Sequence, residues 1–261
     1  MPRAAGLHYE EHGPADGQPL ILSAGLGGAG AYWAPNLPAF ARHYRVIVYD
    51  HRGTGQSDRA LPDRVTVDDL AADMLALMDA LNIARAHIVG HALGGLAGMA
   101  AAFMDRVDKL VVVNGWVRLE PHTARCFEAR LRILRGAGVR AYLEAQPIFL
   151  YPAAWSARNG ARIDEEIEAQ LAHFQGEAAL EKRIAAARAF DIDELIEGFP
   201  TPMLAIAAED DVLVPWVATE AMMPAGTVTR VLMPGGGHAC NVTEPTEFNR
   251  IVLDWLAGRN P

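Results

Sequence analysis

Two cysteines, Cys126 and Cys240, are all that 261 residues contain, and they stand far apart with no metal-type spacing. Free thiols in a reducing compartment follow, rather than a disulfide framework or a zinc site. No stretch reaches the ~18 apolar residues of a membrane span. Met1 to His12 has no apolar core of a secretory leader. The expected location is the cytoplasm, without a membrane partner. Positive charge is also scarce, the formal net charge being -9. Nucleic-acid affinity comes mostly from clustered Lys and Arg, so nucleic acid is not an expected partner. A small anion stays allowed, because one arginine or a few amides can dominate inside a pocket. There is no P-loop and no Gly-x-Gly-x-x-Gly turn. The nine histidines are dispersed, none with Cys or Asp at ligand spacing. No cofactor and no metal are expected. Internal repeats and low-complexity stretches are missing as well.

What is present suits one large core: 51% of the residues are hydrophobic, and α/β chains of this length often stay one domain. Short β-type runs stand at Leu20 to Ala24, Arg45 to Tyr49, Ala86 to Val89, Lys109 to Val113, Pro202 to Ala207 and Val228 to Met233. Helical periodicity alternates with them, the signature of a mostly parallel sheet with helices on both faces. Thr66 and Asp69 form a capping arrangement ahead of Leu70, Met74, Leu77, Met78 and Leu81, one apolar face. Phe248, Ile251, Val252, Trp255 and Leu256 make a second stripe at the end. From Trp116 to Phe199 strand signals vanish, and helix-length blocks are broken at Gly136, Gly138, Pro147, Pro152 and Gly160. The expectation is an α/β core of residues 1–115 and 199–261, with a helical cap of residues 116–198 inserted in it.

Chemistry concentrates at the ends of the β-type runs. Val89-Gly90-His91-Ala92-Leu93-Gly94-Gly95 has the strand–turn–helix form of the nucleophile elbow of α/β-hydrolases, with Ala92 where serine is usual. Asp50-His51-Arg52-Gly53-Thr54-Gly55-Gln56-Ser57 is a hallmark loop of that superfamily, in which Asp50 and Arg52 are expected to brace the turns near the elbow. Glu209-Asp210-Asp211-Val212-Leu213-Val214-Pro215 supplies the acid, Asp211, with Asp210 as its competitor. Gly235-Gly236-Gly237-His238-Ala239 then presents His238 as the base, completing the order elbow, acid, histidine. Ser23-Ala24-Gly25-Leu26-Gly27-Gly28 would place the amide of Leu26 beside that of Leu93 as an oxyanion hole. Trp33 and Trp116 are pocket-lining candidates, with core packing as the alternative. Gln146 and Tyr151 are further pocket candidates in the cap. Arg118, His122 and Arg125 open the cap, where a carboxylate site and a plain charged surface are both open readings.

The likeness extends past the superfamily. Tyr49-Asp50-His51-Arg52-Gly53-Thr54-Gly55, Gly90-His91-Ala92-Leu93-Gly94, Val113-Asn114-Gly115-Trp116, Phe149-Leu150-Tyr151-Pro152-Ala153, Ala172-His173-Phe174-Gln175-Gly176 and Gly236-Gly237-His238-Ala239-Cys240-Asn241-Val242-Thr243 are similar to the RutD family of the Rut pyrimidine-utilisation pathway. The resemblance runs from about Leu20 to Leu256 and includes the cap. It implies that Ala92 is natural. It also implies uracil catabolism after ring opening, acting on carbamate to give ammonia and carbon dioxide, or on 3-aminoacrylate to give malonic semialdehyde and ammonia.

A methyl group cannot attack a carbonyl. An Asp211–His238 pair can still polarise water or move a proton, which is worth ~10²–10⁴ in rate. That is little for a stable ester and enough for a substrate that decomposes on its own. Three readings stand: a hydrolase without a covalent intermediate, a catalytically silent binding protein on a hydrolase fold, and an esterase in which serine has been replaced at position 92. Assembly is open, homodimers being the commonest class.

Overall fold

The computed structural model describes residues 2–261; Met1, the first residue of the N-terminal segment read above, lies outside the described residues. The elements run β1 (Arg3–Ala4), β2 (Leu7–His12), β3 (Pro19–Ser23), α1 (Leu37–Phe40), β4 (Arg45–Tyr49), α2 (Val67–Ala80), β5 (Ala86–His91), α3 (Leu93–Ala102) and β6 (Val107–Val113). Four helices follow: α4 (Pro121–Leu150), α5 (Ala153–Arg158), α6 (Gly160–Ala172) and α7 (Glu177–Ala189). The chain then returns to the sheet with β7 (Met203–Ala208), β8 (Val228–Met233), α8 (Cys240–Thr243) and α9 (Pro245–Leu256). The eight strands form one sheet in the order β1-β2-β4-β3-β5-β6-β7-β8. Among these strands, the β1–β2 and β2–β4 pairs are antiparallel and the other pairs are parallel. This is the α/β-hydrolase architecture.

Alternation along the parallel strands divides the core in two. Ile21, Ile88, Leu110, Val112 and Met203 pack with α2 and α3 on one face. Leu20, Leu22, Val89, Val111, Val113 and Ile206 pack with Phe248, Ile251 and Trp255 of α9 on the other. A side-chain period of two over strands buried on both sides gives these near-continuous apolar runs. At α2 the capping box forms: Thr66 Oγ1 accepts from Asp69 N at 3.1 Å, and Asp69 Oδ2 accepts from Thr66 N at 2.8 Å.

Two expectations need correction. Strands β1 and β2 carried no readable signal, because the Leu7–His12 strand alternates weakly and exposes charge toward its C-terminal half. In the inserted helices, Gly136 and Pro147 do not end a helix. Both lie inside α4, which breaks at Gly138 alone (φ 85°, ψ -179°), a left-handed backbone that glycine adopts without a Cβ clash. Pro147 costs the helix one backbone donor and no change of direction large enough to end it.

The parallel ladders keep the ends of five strands level. Ser23 lies opposite Gly90, His91 opposite Val113, and Val113 opposite Ile206. The loops after β3, β5, β6, β7 and β8 therefore leave the carboxyl edge side by side, where ligands of open α/β sheets bind. Among the described residues no helix is long and apolar enough to cross a membrane.

Candidate active site

Ala92 joins β5 to α3 with φ 44° and ψ -116°, a backbone that side-chain-bearing residues rarely adopt. The turn is pinned at both ends: Ala92 N donates to Val113 O at 2.8 Å, and Leu96 N donates to Ala92 O at 3.0 Å. Its tightness depends on Gly94, where a Cβ would lie 2.2 Å from Ser23 O. The strained elbow is thus complete in every respect except the hydroxyl.

His238 and Asp211 meet behind it. His238 Nδ1 donates to Asp211 Oδ2 at 2.8 Å, and both side chains are buried. Asp211 Oδ1 accepts from Leu213 N at 2.8 Å and Val214 N at 2.9 Å, which fixes the carboxylate against the loop backbone. Asp210 does not reach the histidine ring; its Oδ1 accepts from Gly237 N at 2.8 Å and holds the loop before His238. With Nδ1 engaged, Nε2 is the ring nitrogen left for the cavity that His238 lines.

Two residues that sequence reasoning left without a role fix this loop further. His91 Nε2 donates to His238 O at 2.8 Å, and Asn114 Nδ2 donates to the same oxygen at 2.7 Å. The His91 and His238 rings lie edge to face at 4.7 Å. Burial, then the neighbouring His238, pushes the His91 pKa down to about 3, so its ring stays neutral. Each stands next to a motif position, one before Ala92 and one after Val113. That is the signal that marks them.

The cavity has a volume of about 560 Å³. Its lining includes Leu26, Ala92, Leu93, Trp116, Gln146, Tyr151 and His238. Trp33 is not among them: it is fully buried in the α9-side core against Phe248, which settles it as packing. Arg118, His122 and Arg125 do not line the cavity either. Arg118 pairs with Asp193 at 2.6 Å, His122 bonds Val212 O, and Arg125 bonds Pro121 O, all at exposed positions. Arg52 also departs from expectation, pairing with Asp73 on α2 rather than bracing the elbow. Asp50 does brace loops, accepting from Gly30 N and Gln56 N at 2.8 Å each.

Two arginines of the inserted helices were not distinguishable from their Arg-, Ala- and Glu-rich surroundings. Arg183 of α7 is fully buried and donates to Leu26 O at 3.1 Å and Gly25 O at 3.2 Å. Its third bond, at 2.9 Å, goes to His51 Nδ1, whose ring continues to Ser23 Oγ at 3.1 Å. No carboxylate pairs with it among the described residues, and burial lowers its pKa to about 10. Burial and then Arg183 push the His51 pKa well down. Arg130 of α4 lines the cavity itself. Among the described residues no group of His, Cys, Asp and Glu side chains is arranged to hold a metal ion.

Known proteins agree with this architecture. A family model described as the alpha/beta hydrolase fold matches residues 18–245. The chain is 50% identical to a protein of Variovorax paradoxus named "Putative carbamate hydrolase RutD", over 96% of each chain. It is 48% identical to the protein of that name from Caulobacter sp. strain K31, covering 97% of this chain and 96% of the relative. Among solved structures, the enol-lactonase from Burkholderia xenovorans superposes with a TM-score of 0.87 at 26% identity, over 96% of both chains.

Proposed function

Because the chain belongs to the RutD family within the α/β-hydrolase fold, we propose that it releases ammonia from carbamate without a covalent intermediate, as a hydrolase of pyrimidine breakdown. One observation carries this reading: a buried Asp211–His238 pair shares its cavity with a methyl group at the elbow. Nucleophilic catalysis is closed to such a site. Proton transfer is open to it.

In the proposed reaction the imidazolium of His238, held by Asp211, delivers a proton from Nε2 to the carbamate nitrogen. The C–N bond then breaks with its electron pair on nitrogen, giving ammonia and carbon dioxide. His238 recovers its proton from water. The amides of Leu26 and Leu93, whose N–H groups no acceptor among the described residues takes, orient one carboxylate oxygen. Water attack through the same residues is the second route: His238 takes the water proton as the water oxygen adds to carbon, the tetrahedral oxyanion rests on those amides, and His238 then returns the proton to nitrogen as the C–N bond breaks, giving ammonia and bicarbonate. Acid–base help of this kind is worth ~10²–10⁴ in rate, far below the ~10⁶ or more of enzymes acting on stable bonds. A substrate that already falls apart needs no more. The size of the cavity favours 3-aminoacrylate as a second substrate, since it carries its carboxylate apart from the nitrogen-bearing carbon.

The test dissolves ammonium carbamate into buffer and follows ammonia release by stopped flow. The wild-type protein is expected to exceed buffer by ~10²–10⁴, and His238→Gln and Asp211→Asn to return to the buffer rate. Wild-type protein that leaves both carbamate and 3-aminoacrylate, the latter generated in situ, at their buffer rates would make the chain a silent binding protein.

A further inference from the structure

The cavity is large for carbamate, which is no more than a carboxylate bearing an amino group. Pockets of about 300–1,000 Å³ enclose far larger ligands, and this one holds about 560 Å³. Its charge is also unbalanced on the helical side. Arg162 and Glu166 both line it, but they pair with each other at 2.9 Å, and Tyr151 Oη adds a bond to Glu166 at 3.0 Å. Asp211 lies behind His238 and is occupied by it. That leaves Arg130.

Arg130 is 4% exposed and has no carboxylate partner among the described residues. Its Nη2 donates to two neutral acceptors, Tyr142 Oη at 3.0 Å and Gln146 Oε1. Its Nε is buried with no acceptor among the described residues. Rings of Phe127, Tyr142 and Phe149 stand 5.7, 5.7 and 5.8 Å from its guanidinium carbon. These aromatic faces attract a cation, yet they cannot accept the in-plane N–H bonds that a guanidinium directs at an anion. A buried cation without a counter-ion is among the most unfavourable groups a fold can hold. Here the imbalance opens onto a cavity.

We propose that Arg130, Tyr142 and Gln146 form a carboxylate subsite on the helical side of the cavity, for a short-chain monocarboxylate whose carboxylate is distinct from its reacting group. Arg130 lines the cavity and supplies the charge, and its Nη1 makes no hydrogen bond among the described residues. Tyr142, whose oxygen already accepts from Arg130, has its own hydroxyl proton to give. Gln146 keeps Arg130 in place, and its Nε2 is anchored on Tyr142 O at 2.9 Å. The proposal rests on the preceding reading only for which end of the cavity reacts. Binding at the helical end is independent of it.

Calorimetric titration with propionate, and with propionamide as its neutral counterpart, tests the subsite without any turnover. Wild-type protein is expected to bind propionate at least about tenfold more tightly than propionamide, as a charge-assisted pair requires. Arg130→Met should erase that preference. Gln146→Glu supplies an internal counter-ion and should erase it too, which keeps the test decisive if Arg130→Met does not fold. Equal binding of both compounds by the wild type, or an intact preference in a folded Arg130→Met or Gln146→Glu protein, would overturn the proposal. Loss of the preference in the variants, together with a wild type that leaves carbamate at its buffer rate, would keep the subsite and reject the carbamate reading.

Discussion

Along the sheet edge Leu26, Ala92 and His238 line the cavity, with Asn114 and Asp211 bonded to the His238 residue, and each of the five follows a strand whose ladder neighbours are in register. Opposite it, α4 and α6 contribute side chains, Arg130, Tyr142 and Gln146 from the first and Arg162 and Glu166 from the second. The two walls hold their polar groups differently. The His238–Asp211 pair is tied to the main chain on both sides, with two donors on His238 O and two amides on Asp211. The helical wall relies on side chain to side chain contacts and leaves donors over. Rigid placement suits a group that must hand a proton to a defined atom. Spare donors suit a wall that meets different ligands.

Arg183 breaks this division, since it starts on α7 and ends on the carbonyls of Gly25 and Leu26. The Gly25 carbonyl belongs to the same peptide as the Leu26 N–H, so its bond to Arg183 aims and polarises that amide. Arg183→Met should therefore cut carbamate acceleration by up to ~10²-fold, the cost of a displaced catalytic geometry, equivalent to about 2.7 kcal/mol of barrier. Thermal stability should fall as well, because Gly25 O, Leu26 O and His51 Nδ1 lose a buried donor. Acceleration equal to wild type would show that the sheet edge needs no support from the helices.

Legibility from sequence follows the same boundary. Strand ends punctuated by glycine located the elbow, His238 and the oxyanion-loop candidate, because a tight turn at a sheet edge restricts which residues fit. Asp211 was readable by its spacing from Pro215, and only the 2.8 Å contact removed Asp210. Arg130 and Arg183 were not readable. An arginine buried on one side of a helix looks the same in sequence as one on its wet side, and the more prominent Arg118 and Arg125 turned out to be exposed. Trp33 illustrates the converse: aromatic character alone does not separate core from pocket. β1 and β2 were missed because an edge pair with charged residues has little of the alternation that marks a strand.

Acid should loosen the sheet edge before the helices. His91 stays neutral in the folded protein with a pKa of about 3, burial being the main cause, and His51 is lowered in the same sense. An unfolded histidine titrates near 6.5. Below that pH the unfolded chain takes up protons that the folded chain refuses, so stability falls as pH drops from about 6.5 toward 3. His91 alone contributes roughly 2 kcal/mol of loss between pH 7 and pH 5. Urea unfolding at the two pH values measures it, and His91→Gln should flatten the dependence. Hydrogen exchange at pH 5 that rises first in α4 to α7 would reverse the assignment of the weaker wall.

The smallest effect belongs to the elbow itself. Ala92 holds φ 44° and ψ -116°, a conformation that costs of the order of 1–3 kcal/mol for a residue with a Cβ, and a methyl group gains no reactive oxygen in return. Glycine reaches that backbone with less strain but loses more freedom on folding, so Ala92→Gly should stabilise the protein by about 1 kcal/mol or less. The bonds from Ala92 N to Val113 O and from Leu96 N to Ala92 O use backbone atoms only and survive the change. Acceleration of carbamate cleavage should also survive, since the proposed proton path runs through His238 and never through position 92. A higher urea midpoint with unchanged acceleration would show that the elbow now serves to place the Leu93 amide. A fall in acceleration would mean that the Ala92 methyl itself shapes where the substrate sits against Nε2.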